Sequence, residues 1–580
     1  MRRSSSLRIV TAVLCVLCAI AAWRLSPSLS SAFAAQGQTA QSAPPQTVQG
    51  AKLQPVSASI PVNPNPADVR ALQPTAAPGT EIYTAKRGEA IPTIARRYLG
   101  KTSYLTSSEL AEAIRQVNGK ANGDRPSNIL KANENIVIPG ILPAPIVEKT
   151  IPVAKDFEVR AIYLTGVMAA SDHGLRIIRH WREVGGNAVV FDIKDSDGSV
   201  NIPFDHPLLG SHKVYIHDVP KFVRFLHQQN MHAIARIAIF RDERLVTEHP
   251  ELAVQSKRTK QAWRENGKLV WTDPSNPKVQ EYNIALAKHV AQLGADEIQF
   301  DYVRFPAEGD QKDAAFVFQS EHPEGTQQPV ANVIPTGATA PGATLPQSVP
   351  QPPPTGSQPV PTSTEHADAK HHPAKHPTAA PAGPQRSDVI TSFLKKAYSE
   401  IHPTGALFSL DVFGVMAWQR QVDLSHTGQD IIGMARYCDV LSPMIYPSHF
   451  FGMDNIARPG DEPAHFIGES MDRFELITKG SGVVIRPWLQ AFHWRTRTYS
   501  PEYIKVQVET AKNKGGIGFL FWNAANDYSK PYAAMPEMKA ANTKEKDKFF
   551  RGDELPGTAV KASLTPAAAP APASPEKATH

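Results

Sequence analysis

Cysteine is scarce in this 580-residue sequence, which contains three. Cys15 and Cys18 lie in an apolar run near the N-terminus, so Cys438 is alone in the rest of the chain. A single thiol cannot form an intramolecular disulfide, which excludes a disulfide scaffold and requires stabilisation by a packed core. We expect Cys438 to be a buried small hydrophobe.

The sequence also has little net charge. The formal charge is +6, and four of the excess bases lie within the first 24 residues, which contain no acid. These four are Arg2, Arg3, Arg8 and Arg24. The remaining chain is close to neutral and has no general attraction for polyanions, so we predict that the protein has no nucleic-acid partner.

Long hydrophobic runs are missing except at residues 9–23. That run of about 15 residues is short for a membrane-spanning helix. Arg2 and Arg3 precede it, and residues 32–34 read Ala-Phe-Ala, an A-x-A cleavage site. We predict a signal peptide at 1–35 and a protein exported to the periplasm, cell envelope or medium, with no membrane contact after cleavage. An uncleaved membrane anchor is the alternative.

Proline is abundant but segregated. The 51 prolines concentrate in stretches also rich in Ala, Thr, Ser and Gln, which cannot bury enough apolar surface to offset chain entropy. We predict a disordered linker at 36–80, a disordered insertion at 308–386 and a disordered tail at 551–580. The insertion contains His366, His371, His372 and His376. Because no carboxylate or Cys partners accompany them, we interpret these histidines as a solvated linker and predict neither metal nor cofactor.

Residues 81–140 predict a small module with the order strand, helix, helix, strand. It resembles the LysM family. The residues that carry the resemblance are Tyr83, Gly88, Ile94-Ala95, Tyr98, Asn118, Ile129-Leu130 and the run Ile136-Val137-Ile138-Pro139. The resemblance implies binding of an N-acetylglucosamine-containing glycan such as peptidoglycan. A module that serves only as a spacer or protein contact is the alternative.

The region 156–550 alternates β-branched or aromatic runs with amphipathic stretches, which is typical of parallel strands joined by helices. The strand candidates are 159–166, 188–195, 232–240, 297–305, 406–414, 440–447, 484–492 and 517–524. The helix candidates are 174–184, 218–229, 277–293, 387–401, 427–437, 464–478, 502–514 and 532–540. Eight such units predict an α/β protein with a (β/α)8 TIM barrel. A doubly wound sheet is disfavoured because no Gly-rich turn follows the first strand.

Reacting groups of this fold project from the C-terminal ends of the strands. Carboxylates and aromatic side chains dominate those positions, whereas a nucleophile paired with a base, a metal-binding spacing and a nucleotide loop are missing. Paired carboxylates suit glycoside cleavage, and aromatic faces stack on sugar rings. The candidate catalytic residues are Asp301, Asp411 and Asp192. The candidate substrate-binding residues are Lys194, Arg304, Tyr446, His449, Trp488, Gln490, Trp522 and Asn523.

The stretch 296–306, DEIQFDYVRFP, is the most informative part of the sequence. It resembles the fourth strand of chitinase-type barrels, but Val303 stands where their catalytic Glu would be. It is more similar to a family of bacterial glycoside hydrolases, inferred rather than demonstrated to be active, with the motifs FDYxRFP, SPMIYPSH (442–449) and VRAIYLTG (159–166). The resemblance implies a barrel that hydrolyses glycosidic bonds.

Asp301 and Asp411 are the favoured catalytic pair. Neighbouring strands lie about 4.8 Å apart, so the two carboxylates can approach the roughly 5–5.5 Å of a retaining pair. We assign Asp411 as the acid because apolar neighbours would raise its pKa. Asp301, with Arg304 near it in sequence, is the nucleophile or base. Asp192 is the reserve candidate; it and Asp195 could instead pair with Lys194.

The predicted function is that of an exported glycoside hydrolase acting on a cell-envelope or extracellular polysaccharide and held at the wall by the LysM-like module. The alternative is a non-catalytic carbohydrate-binding envelope protein built on a glycosidase-like barrel.

Overall fold

A computed structural model of the chain describes residues 79–119, 128–321 and 383–543. The predicted signal peptide, the predicted tail and the four-histidine cluster lie outside these residues, as do nearly all of the first linker and residues 322–382 of the insertion. No helix in the described ranges is long and apolar enough to cross a membrane.

The small module consists of two antiparallel strands and two helices in the predicted order. The strands are Thr80–Thr84 and Asn135–Pro139, and the helices are Ile91–Tyr98 and Ser107–Val117. The second helix ends at Asn118, whose side chain both donates to the carbonyl and accepts from the N–H of Val137. This side chain therefore ties the helix end to the second strand.

Polar contacts join the module to the outer helices of the large domain. The hydroxyl of Thr106, which caps the second module helix, donates to Asp172. Arg179 donates to Glu109 at 2.8 Å, and Lys221 donates to a carbonyl of the short turn Leu99–Lys101 at 3.0 Å. The contacts all involve helices that surround the barrel.

Eight parallel strands form the large domain. They are β1 Val159–Leu164, β2 Ala188–Lys194, β3 His232–Ala238, β4 Glu297–Asp301, β5 Leu407–Phe413, β6 Val440–Ile445, β7 Val484–Ile485 with Trp488–Gln490, and β8 Gly518–Trp522. Each strand pairs with the next, and β8 pairs with β1. The sheet is closed, which confirms the predicted TIM barrel.

The closure between β8 and β1 depends on Gly518. Its φ is +80°, in the left-handed region, and a Cβ built there would lie 2.0 Å from the carbonyl oxygen of Val159. Any other residue would push the two strands apart.

Helices follow the strands and form the outer ring. They are α1 Asp172–Glu183, α2 Val219–Gln228, α3 Pro277–Gln292, α4 Arg386–Ile401, α5 Ile431–Met434, α6 Pro463–Ile477, α7 Pro501–Asn513 and α8 Ser529–Thr543. Shorter helices Gly166–Ala169, Glu243–Glu248 and Gln421–Thr427 occupy loops. The helix predicted at 427–437 is shorter than expected because a 3-10 turn, Ala435–Tyr437, replaces its end. Cys438 is free and buried, as predicted.

The predicted insertion begins later than the composition suggested. Residues Ala314–Ala315 pair with Gln255–Ser256, and the helix Val317–Glu321 follows. Phe316 is buried against Phe305, with ring centroids 4.9 Å apart. The expected boundary at residue 308 is therefore wrong, because this aromatic contact keeps the first part of the segment folded.

Candidate active site

A buried arginine organises the carboxylates at the strand ends. Arg236 on β3 lies between Asp192 on β2 and Asp301 on β4 and is 2 % exposed. Its Nη1 lies 2.5 Å from Asp192 Oδ1, and its Nη2 lies 2.6 Å from Asp301 Oδ2. Burial lowers the pKa of an arginine, but these two carboxylates raise that of Arg236 well above its usual value. The group is a permanent cation under the strand ends.

Asp301 is held by a second donor from an unusual backbone turn. The N–H of Tyr302 donates to Asp301 Oδ1 at 2.6 Å, while Arg236 binds Oδ2. Tyr302 has φ 54°, a left-handed conformation that is rare for an aromatic residue. Such backbone strain is found at functional sites. These donors stabilise Asp301 as a carboxylate in a fixed orientation.

Asp411 on β5 sits beside Asp301 but in a different environment. It accepts a hydrogen bond from Trp488 Nε1 at 2.6 Å, and its Oδ2 lies 3.9 Å from Arg236 Nε, which is 3.2 Å from Asp301 Oδ2. Burial, and secondly the charge of Asp301, raise the pKa of Asp411 well above its usual range. Asp411 is therefore set up to hold a proton, whereas both oxygens of Asp301 accept hydrogen bonds from fixed donors.

Asp192 lies below the other two carboxylates. It is fully buried, pairs with Arg236 and accepts a hydrogen bond from the Tyr163 hydroxyl. Burial raises its pKa to about 6, although Arg236 opposes that shift. Both oxygens of Asp192 accept hydrogen bonds from protein groups, so this residue positions Arg236.

A cavity of about 260 Å³ opens above this cluster. Six of the predicted site residues line it: Asp301, Asp411, Arg304, Tyr446, Trp488 and Trp522. Trp522 stacks on Tyr163, with ring centroids 4.1 Å apart, and meets Trp488 edge to face at 5.7 Å. The cavity thus combines two acids with aromatic walls, as a sugar-binding cleft requires.

Lys194 does not reach the cavity. Its ammonium group is buried on the outer side of the sheet, where it donates to Asp242 and Asn283, each at 2.8 Å. The expected pairing with Asp192 or Asp195 is wrong, because a register shift between Asp192 and Lys194 turns the lysine outward. This residue contributes to the packing of the sheet against α3.

Two further predicted residues lie at strand ends, Gln490 as the last residue of β7 and Asn523 directly after β8. Gln490 accepts from the N–H of Ser448 and donates to the carbonyl of Phe492, and it is fully buried. Asn523 donates to the carbonyls of Ala491 and Asp527. Both therefore fix loop backbones that surround the cavity.

His449 lies at the rim. Its ring is 5.4 Å from that of Tyr446 and 4.8 Å from that of Trp494, which is 40 % exposed. The three aromatic rings form a continuous path from the cavity to the surface.

Arg304 lines the same cavity as Asp301, and the charge of Asp301 acts on it, but in the described residues the two form no direct ion pair. Its guanidinium lies 4.4 Å from the ring centroid of Trp271 and 4.6 Å from that of Phe413. The left-handed turn at Tyr302 ends the strand and breaks the alternation of side chains, which would otherwise place Arg304 on the face opposite Asp301. Arg236 takes the role that the sequence assigned to Arg304.

The sequence analysis missed several groups that line the cavity. They are Arg236, Arg241, Trp271, Tyr302 and Gln429. Arg236 was recognisable as a charged residue at a strand end, whereas Trp271 comes from a loop that no strand pattern could place. In the described part of the chain no three His, Cys, Asp or Glu side chains gather closely enough to hold a metal ion.

A family model described as "Putative glycosyl hydrolase domain" matches residues 161–528. No curated protein matches the chain. A hypothetical protein from Ruminiclostridium thermocellum is 38% identical over 27% of this chain and 80% of its own, with a TM-score of 0.25.

Two further solved structures are more distant in sequence. The PgaB (BpsB) glycoside hydrolase domain from Bordetella bronchiseptica is 12% identical over 66% of this chain and 97% of its own, with a TM-score of 0.43. The spore cortex-lytic enzyme SleL from Bacillus megaterium is 10% identical over 78% and 85%, with a TM-score of 0.34. Because the family model spans more than half of the chain, this protein belongs to that family of glycosyl hydrolases, and the predicted enzyme class is confirmed.

Proposed function

We propose that the protein is an exported glycoside hydrolase that cleaves a cell-envelope or extracellular polysaccharide with Asp301 and Asp411. The observation that carries the proposal is the asymmetry of this pair. Asp301 is bound by Arg236 and a backbone N–H, whereas burial raises the pKa of Asp411. A carboxyl group that can donate a proton, next to a second carboxyl group held in a fixed orientation, is what acid-assisted glycoside cleavage needs.

In the proposed reaction Asp411 donates its proton to the glycosidic oxygen as the C–O bond breaks. Asp301 either attacks the anomeric carbon or takes a proton from the attacking water. Arg236 orients Asp301 through a hydrogen bond, and Trp488 Nε1 stabilises the carboxylate that Asp411 becomes after proton transfer. Arg236 thus acts on the group that attacks or accepts a proton, and Trp488 acts on the group that has donated its proton.

The shape of the site supports a polymeric substrate. Trp488 and Trp522 line the cavity, and Tyr446, His449 and Trp494 continue the aromatic surface to the rim. Aromatic faces of this kind bind successive sugar rings by stacking. We therefore place the scissile bond over Asp301 and Asp411 and the next sugars along the path to Trp494.

Two features of the sequence support the proposed location of the enzyme. The basic, apolar N-terminus predicts export, and the module at 81–140 resembles LysM modules, which bind N-acetylglucosamine-containing glycans. The contacts of Thr106 and Glu109 with α1 attach the module to the barrel. We propose that the module holds the barrel on the cell wall.

Release of reducing ends tests the proposal. The full chain is incubated with peptidoglycan, a deacetylated amino-sugar glycan and α-glucans, with a pull-down of the same polymers in parallel. Reducing ends released from one polymer, and not by Asp411→Asn, support hydrolysis. Binding without release would favour the non-catalytic carbohydrate-binding protein. Deletion of 81–140 should reduce the wall-bound fraction if the module is the anchor.

A further inference from the structure

Three arginines line the cavity, and they differ in their partners. Arg236 forms ion pairs with Asp192 and Asp301. Two further cations, Arg241 and Arg304, line the same cavity. In the described ranges neither of them has a carboxylate within ion-pair distance.

Of the two arginines, Arg304 gives the stronger indication of a ligand. Arg304 is 9 % exposed, and its Nη1 donates a hydrogen bond to the carbonyl of Phe305 at 2.9 Å. The nearby Glu265 is engaged by Trp271 Nε1 and by the N–H groups of Ala307 and Glu308. The charges of Glu265 and Asp301 act on Arg304 without a direct ion pair, and burial still lowers the pKa of this guanidinium. A buried guanidinium without an ion-pair partner beside a cleft indicates an anionic ligand.

Arg241 and Arg304 lie around one ring. Their guanidinium carbons are 5.3 and 6.0 Å from the ring centroid of Tyr302, and Arg241 Nη1 donates to the Tyr302 hydroxyl at 3.0 Å. Trp271 packs on Arg304 at 4.4 Å and fixes its plane. A rigid planar fork of this kind matches the two oxygens of a carboxylate.

We propose that the cavity selects an acidic sugar, and that Arg304 and Arg241 bind a carboxylate carried by the sugar next to the scissile bond. The proposal names the substrate class of the glycoside hydrolase proposed above and rests on it. The carboxylate belongs either to a uronic acid ring or to a lactyl ether on an amino sugar. Both sources present the same planar anion to the two arginines.

Paired probes test the proposal by calorimetric titration of the full chain in the Asp411→Asn background, which prevents turnover. One pair is a uronic acid oligosaccharide and the same oligosaccharide with its carboxyl groups reduced to alcohols. The other is a lactyl-ether amino-sugar disaccharide and its amide. At least one acid should bind about tenfold to hundredfold more tightly than its neutral partner. The pair that discriminates identifies the source of the carboxylate.

Charge variants show whether the two arginines are responsible. Arg304→Gln should remove most of the preference for the acid while leaving affinity for the neutral partner within a few-fold. Arg176→Gln removes an exposed charge on α1 and should change neither affinity. Equal affinities within both pairs, no binding of any probe, or an acid preference that survives both Arg304→Gln and Arg241→Gln would overturn the proposal.

Activity separates this proposal from the proposed function. If the wild-type enzyme hydrolyses neutral and acidic polymers equally well, the proposed function stands and acid selection is refuted. Binding that prefers the acid without hydrolysis of any polymer would retain acid selection and refute the proposed function.

Discussion

Replacement of Trp488 by Phe should raise the pKa of Asp411 further. In the described part of the chain Trp488 Nε1 is the only group that donates a hydrogen bond to this carboxyl, at 2.6 Å. The bond stabilises the anion, and a hydrogen bond to a charged group contributes about 1.5–3 kcal/mol. Since 1.36 kcal/mol corresponds to one pKa unit, its loss should raise the pKa of Asp411 by about one to two. Phe retains an aromatic ring beside Trp522.

The assay is a carbon-13 NMR titration of protein labelled at the aspartate carboxyl groups. The spectrum of Asp411→Asn assigns the signal. Trp181→Phe is the matched control, because the indole of Trp181 donates to the carbonyl of Arg160 and not to a carboxyl group. A pKa of Asp411 that stays constant or falls in Trp488→Phe would refute the reasoning, as would an equal rise in the control.

Two further predictions concern stability. Arg236→Met leaves Asp192 and Asp301 buried without their cation, so the free energy of unfolding should fall by about 3–5 kcal/mol and the melting temperature by roughly 5–15 °C in calorimetry; an unchanged melting temperature would contradict the pairing. Burial raises the pKa of a carboxyl, but Arg486 and His232 outweigh burial at Glu297 and lower its pKa from 4.5 to about 2. The contribution of Glu297 to folding stability is therefore complete above about pH 4.5 and is lost as the pH falls toward 2. Urea denaturation from neutral pH to about pH 3 should show this loss in wild type and a flatter dependence in Glu297→Gln.

The barrel could be predicted from the sequence because its strands are buried on both faces. Runs of β-branched and aromatic residues mark such strands directly, and each of the eight observed strands overlaps a predicted one. Alternation along β4 and β5 was sufficient to place Asp301 and Asp411 at the same end of the barrel.

The remaining parts of the site depend on local departures from that alternation. A register shift turns Lys194 away from Asp192, and the left-handed Tyr302 redirects Arg304. Neither departure is visible in hydrophobic periodicity, since no glycine marks it. Trp271 comes from a loop whose path is set by tertiary contacts, so no sequence pattern could place it in the cavity.

The central claim is that Asp301 and Asp411 together cleave a glycosidic bond, and the rate of reducing-end release by single Asn variants tests it most directly. Asn keeps the size of each side chain but can neither attack nor transfer the proton, so each variant should lose activity by orders of magnitude while still binding the polymer and unfolding cooperatively. Activity of Asp301→Asn or Asp411→Asn within a few-fold of wild type, on a polymer that wild type hydrolyses, would contradict the account.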